Sequence, residues 1–163
     1  MIIRISKIVL VAAVAFYLTL VAFNNVTDYD ANYGLVQHVL SMDTTFPDRH
    51  GTWRAIQSNE ANTVAYWIII GWEIVTAVLT WCGAANLFRR IKAGAAAFNR
   101  GKNLAVAALT LSLLQWFVGF ISVGGEWFLM WESKLWNGED PAFRMFACIG
   151  IVLIYLAMPE SDA

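Results

Sequence analysis

The chain has 163 residues, 59% hydrophobic and 14% charged, with a mean hydropathy of +0.57 and a net charge of −1. Soluble domains carry near 25% charged residues, and a soluble core this small cannot hide so much apolar surface, so a water-soluble globule is excluded in favour of a bilayer protein. The balanced charge leaves no basic face for nucleic acid.

Four apolar stretches follow in order: about 5–23, 63–87, 104–123 and 142–158. Each is near the roughly 20 residues that carry a helix across about 30 Å of hydrocarbon, and helices satisfy their own backbone where lipid cannot. The first stretch has a signal-peptide-like start at Arg4 and Lys7 and an Ala13-Val14-Ala15 triplet. Its apolar run continues to Phe23, which reads as a retained span. Arg4, Lys7, Arg89, Arg90, Lys92, Arg100 and Lys102 fall on one side; Arg49, Arg54, Lys134 and Arg144 fall on the other. The basic excess predicts cytoplasmic termini, with segments 24–62 and 124–141 outward. These outward segments hold nine of the twelve acids.

In the first outward segment, Leu35, Val36, Val39 and Leu40 recur at helical spacing after Asp30 and Asn32, two N-cap candidates, and predict a short interfacial helix. Residues 46–51 read as a turn, with Trp53 and Ile56 leading into the second span. Small and polar residues then mark inward faces at steps of three and four: Ala12, Ala15, Thr19 and Ala22 in the first span; Tyr66, Ile70, Glu73, Ala77, Thr80 and Ala84 in the second. The third span offers Ala105, Ala108, Ser112, Gln115, Gly119 and Ser122, and the fourth Ala147, Gly150, Ile154 and Ala157. Such faces draw membrane helices together near a +20° crossing. The expected fold is an all-α, integral-membrane four-helix bundle, a single domain over residues 1–163 with a small outer, periplasmic cap.

Glu73 lies ten residues into its span, roughly 15 Å deep at 1.5 Å per residue. An ionised carboxylate there costs at least about 2.5 kcal/mol. Gln115, eleven residues into the third span from the opposite side, shares its depth, so the two are expected to meet, with Glu73 protonated or water-linked. Either they glue two helices or they serve a proton or cation relay, which Tyr17, Thr19 and Thr80 would extend. Glu126 and Arg144 are expected close enough to pair, and Asp140 before Pro141 fits a helix start. Trp127, Trp131 and Trp136 leave the membrane in succession, near Trp53 and Trp67, as tryptophan does at the headgroup zone. Anchoring does not explain Glu126, Glu132, Glu139 and Asp140 among them. A cap with aromatics beneath an acidic rim explains both, and Asp43, Trp53, Arg54, Glu126, Trp127, Trp131, Trp136 and Arg144 are its candidate interaction residues.

No catalytic, metal or cofactor site is read. The spans hold no histidine for haem, Asp43, Asp48 and His50 match no metal motif, and there is no phosphate loop, nucleophile elbow or zinc-protease helix. Cys82 and Cys148 read as buried free thiols, and Asn25-Val26-Thr27 as a chance glycosylation triplet.

The stretches "HVLSMDT", "WRAI", "AYWIIIGWE" and "GFISVGGEWFLMWESKLWNGEDPAFR" resemble the bacterial DUF2165 family of predicted small integral membrane proteins, from about Asn24 to Leu156. The resemblance implies a four-span bacterial inner-membrane protein and no known reaction. The leading expectation is an accessory or structural protein whose outer cap docks a larger membrane complex. The alternative is a small transporter or proton-linked channel component using Glu73 and Gln115 at mid-membrane. A third is an enzyme subunit near a quinone or lipid substrate.

Overall fold

The computed structural model describes residues 1–47 and 50–161. Asp48, one of the weighed metal ligands, and Arg49, counted on the outward side, lie outside the described residues. Four helical stretches are long and apolar enough to cross a membrane. The first is α1 (Ile2–Thr27), followed almost without a break by the interfacial helix α2 (Tyr29–Ser41). A 3-10 turn over His50–Arg54 leads to α3 (Asn59–Arg89), whose first turn is capped by Ser58 accepting from the Ala61 amide at 3.2 Å. A short α4 (Ala95–Gly101) and α5 (Asn103–Leu114) follow, and α5 passes into a π-helical segment, Gln115–Trp127. A second 3-10 turn, Met130–Glu132, precedes α6 (Glu139–Ala157).

α1 packs along α3, α3 along α5, and α6 against α5 and its π continuation; α6 also touches α1 and closes the ring. The second-span stripe is fully buried, from Tyr66 through Glu73 to Ala84. A Cβ on Gly83 would sit 2.7 Å from Ala105 Cα, so α3 and α5 approach backbone to backbone where both sequences are small. Trp81 Nε1 donates to Thr19 Oγ1 at 3.1 Å and Trp72 Nε1 to the Leu111 carbonyl at 3.0 Å, tying α3 to both neighbours.

The third-span stripe is likewise buried from Ala105 through Ala108 and Ser112 to Gln115, and the stripes depart from expectation beyond that point and in the other spans. Along the π segment burial falls on Gln115 and Trp116 and then on Gly124 and Gly125, with Phe120 half-buried between them, while Gly119 is exposed. Bonds of the i to i+5 kind widen each turn beyond four residues, so a rhythm of three and four drifts off the interface. In α6 the buried positions are Ala142, Met145, Ile149 and Leu156; Ile154 and Ala157 are exposed. Larger side chains make this contact: Met145, Ile149 and Leu156 join the same apolar core as Leu109, Leu113 and Trp116. Thr19 and Tyr17 are also exposed. Cys82 and Cys148 are free but exposed, on the outer faces of their helices and not in the core.

The two termini meet at one end of the bundle. Lys7, 1% exposed, donates to Glu160 Oε1 at 2.7 Å and to the Met158 carbonyl at 2.6 Å. Lys102 donates to the same carbonyl at 2.7 Å, and Arg4 to the carbonyls of Ile91 and Ala93 at 3.0 and 2.5 Å. Asn99 and Glu160 exchange two further bonds, each 3.0 Å, through the Asn99 side chain and the Glu160 backbone. Burial alone would raise the Glu160 carboxyl. The hydrogen bond and charge of Lys7, with Lys102 and Arg4, outweigh it and hold the group below the ordinary carboxylate range.

Candidate functional site

Glu73 and Gln115 meet as their shared depth predicts. Gln115 Nε2 donates to Glu73 Oε1 at 3.3 Å. A second amide, not expected from the sequence, is closer: Asn25 Nδ2 donates to Glu73 Oε2 at 2.6 Å. Tyr66 Oη then donates to the Asn25 carbonyl at 3.2 Å and lies 3.4 Å from Asn25 Oδ1. Three helices thus converge on one acid, each of its oxygens taking one N–H. In the sequence Asn25 reads only as part of a glycosylation triplet, because hydropathy ends at Phe23, whereas α1 winds on to Thr27 and so pairs the carbonyls of its last apolar turn. A polar Asn pair directly after an apolar run was the available signal.

The level of the cluster is set by Asn25, two residues from the end of α1. Glu73 lies sixteen residues before Arg89, about 24 Å at 1.5 Å per residue. It lies fourteen residues after Asn59, so the acid stands near the middle of α3 although its partner Asn25 stands near the end of α1. Below it, Thr76 and Thr80 donate to their own helix, to the carbonyls of Glu73 at 3.0 Å and Thr76 at 2.6 Å. Tyr17 and Thr19 face outward, so the proposed extension of a polar path is not built.

The cap joins both intervening segments, as expected. Thr44 Oγ1 donates to Ser133 Oγ at 2.9 Å, and the Phe46 amide donates to buried Glu132 at 3.0 Å. His38 stacks on Trp136 with centroids 4.5 Å apart, and its Nδ1 lies 2.8 Å from the Asp43 carboxylate. Trp53 meets Trp127 edge-on at 5.9 Å, with the Arg54 guanidinium 5.2 Å above the Trp127 ring, and Phe46 meets Trp131 at 6.1 Å. Met42 and Leu129 adopt left-handed backbone (φ 53° and 56°) at the ends of their segments, a conformation that surrounding packing must hold.

Glu126 and Arg144 do not pair. Both are exposed, and Arg144 Nε turns to the Asp140 carbonyl of its own helix at 3.4 Å, as suits a pair that water would weaken. Nor does Asp140 cap α6. The helix starts one residue earlier, and Asn137 Oδ1 accepts from the Glu139 amide at 3.0 Å, leaving Pro141 within the first turn where its missing N–H costs nothing. Asp30 and Asn32 likewise fall inside α2 and do not cap it, because the helix begins at Tyr29. Among the described residues no three His, Cys, Asp or Glu side chains gather as for a metal ion.

A family model described as Predicted small integral membrane protein (DUF2165) matches residues 3–159. The chain belongs to this family. The match reaches beyond the resemblance read between Asn24 and Leu156, taking in α1 and the basic end, so the polar cluster and the cap lie within the family region, as does all of the terminal clasp but Glu160. No curated protein and no solved structure matches the chain.

Proposed function

We propose that this integral membrane protein is an accessory subunit of the bacterial inner membrane, with both termini cytoplasmic and the cap outward, where it docks a larger membrane protein. The observation that carries this reading is the surface of the cap. Its internal bonds leave Trp53 76%, Trp127 48%, Trp131 44% and Leu135 84% exposed, beside the exposed acids Glu126 and Asp140. Tryptophan held rigidly on a surface is the residue type that dominates binding energy at interfaces, and clustered exposed apolar side chains mark contact sites. The acidic surroundings suit a partner whose outward face is basic.

Affinity purification from native membranes in mild detergent tests this. A defined complex is expected with the wild type and its loss with a Trp53→Ala/Trp127→Ala double variant. Isolation of a lone monomer or homo-oligomer under conditions that preserve other complexes overturns the reading. The transport alternative has narrower support, the proximity of Glu73 and Gln115 to a cavity. On that reading Glu73→Gln abolishes a proton or solute flux in vesicles.

A further inference from the structure

A groove of about 530 Å³ lies between α2, α3 and the π segment. A second cavity, about 280 Å³, contains Glu73 and Asn25 and belongs with the polar cluster. The groove has the volume of a small-molecule site. Among the described residues no charged side chain lines it. Its polar side chains, Gln115 and Trp72, spend their N–H groups elsewhere, on Glu73 and on the Leu111 carbonyl. It is also open: Ile68 is 63% and Val118 44% exposed, both within spans that face lipid.

The π turns help to make this space. They bring Gly119 and Gly124 to its wall, and a Cβ at Gly119 would meet nothing within 4 Å. Water does not fill an apolar recess, and an empty one forfeits the dispersion contacts of its walls. Flexible hydrocarbon from the surrounding bilayer can enter and restore them.

The position of the groove selects a lipid tail over a partner helix. Along α3 it extends from Ala65 to Trp72, about 10 Å at 1.5 Å per residue. At its inner end Trp72 stands thirteen residues after Asn59 and seventeen before Arg89, near mid-span, where its bond to Leu111 ties α3 to α5. At its outer end α2 and Phe128 border it. A helix crossing the membrane needs a face of roughly 30 Å, whereas a lipid tail occupies one leaflet and stops at mid-membrane.

We propose that this groove binds the acyl tail of a phospholipid in the cap-side leaflet, with the head at the level of α2 and the tail's methyl end against Trp72. The site is separate from the docking surface on the cap, and its occupancy does not depend on a partner.

The test places the full chain in phosphatidylcholine nanodiscs with a trace of phosphatidylcholine carrying a photoreactive diazirine on one tail. A diazirine near the methyl end should label Trp72 and Leu114. One near the carboxyl end should label Ala65 and Val123. Labelling in the groove should exceed that of Ile151 and Ile154, which are more exposed but lie on the open outer face of α6. Gly119→Phe should fill the groove and abolish labelling there while leaving α6 labelled. Val118→Trp, at a position already half exposed, should do the same if Gly119→Phe does not fold. Groove labelling no greater than that of α6, labelling indifferent to both substitutions, or a reversed order of depth overturns the proposal. So does a groove that lipid leaves unlabelled and that crosslinks instead to a second copy of the chain.

Discussion

At the basic end of the bundle, three cations are buried or half-buried, and each is answered by carbonyls or by Glu160. Backbones there approach until Gly83 touches Ala105. From mid-span toward the cap, Glu73 is answered by uncharged amides, the helix widens into π turns, two cavities remain, and Gln115 Oε1 and Trp116 Nε1 go unpartnered. The same chain therefore closes one half with charge and close contact and keeps the other half roomy. Lipid gives no hydrophobic drive for helices to associate, so contact and buried polar bonds must supply it. Concentrating them at one end leaves the other less closely packed.

The contrast can be broken by substitutions in either half. The largest effect is expected for Gly83→Leu, whose side chain meets Ala105 backbone and must part α3 from α5. It should cost about 3 kcal/mol in detergent unfolding, while Gly119→Leu, with open space around it, should cost little. Next comes Glu160→Ala, which strands Lys7 and should cost about 2 kcal/mol. Because the Glu160 carboxyl is held below its ordinary range, its contribution is present above that range and lost as pH falls through the depressed value. The gap in stability between wild type and Glu160→Ala should accordingly shrink on acidification. At the other end, a double-mutant cycle of Asn25→Ala and Glu73→Ala should give a coupling of about 1 kcal/mol, in keeping with buried bonds between membrane helices. Smallest of all, Trp53→Ala should change stability by no more than about 0.5 kcal/mol, since the ring is largely exposed, yet weaken partner capture.

Much of this was legible. Four apolar runs gave four spans, the Leu35–Leu40 spacing gave α2, and shared depth placed Glu73 against Gln115. Interleaved tryptophans and acids pointed to a cap built from both segments. Span ends were less legible, because a hydropathy run stops at the first polar residues while the helix runs on for about a turn, which pairs the carbonyls that would otherwise be bare in lipid. That concealed Asn25, and it made Lys7 look like a flanking charge when it is buried against Glu160. The π segment was hidden too, since composition does not show a change in residues per turn, and with it went the inward roles given to Gly119 and Ser122. In α6 the buried face followed the bulk of its neighbours and not its own small residues.

Both the docking surface and the basic clasp presuppose a chain that crosses the membrane four times with its cap outside. With Cys82 and Cys148 replaced by Ser, single cysteines at Leu135 and Lys92 report on the two exposed ends. An impermeant maleimide should label Leu135→Cys in intact cells and Lys92→Cys only after lysis. Labelling of Lys92→Cys in intact cells, or protection of Leu135→Cys until lysis, would contradict that topology.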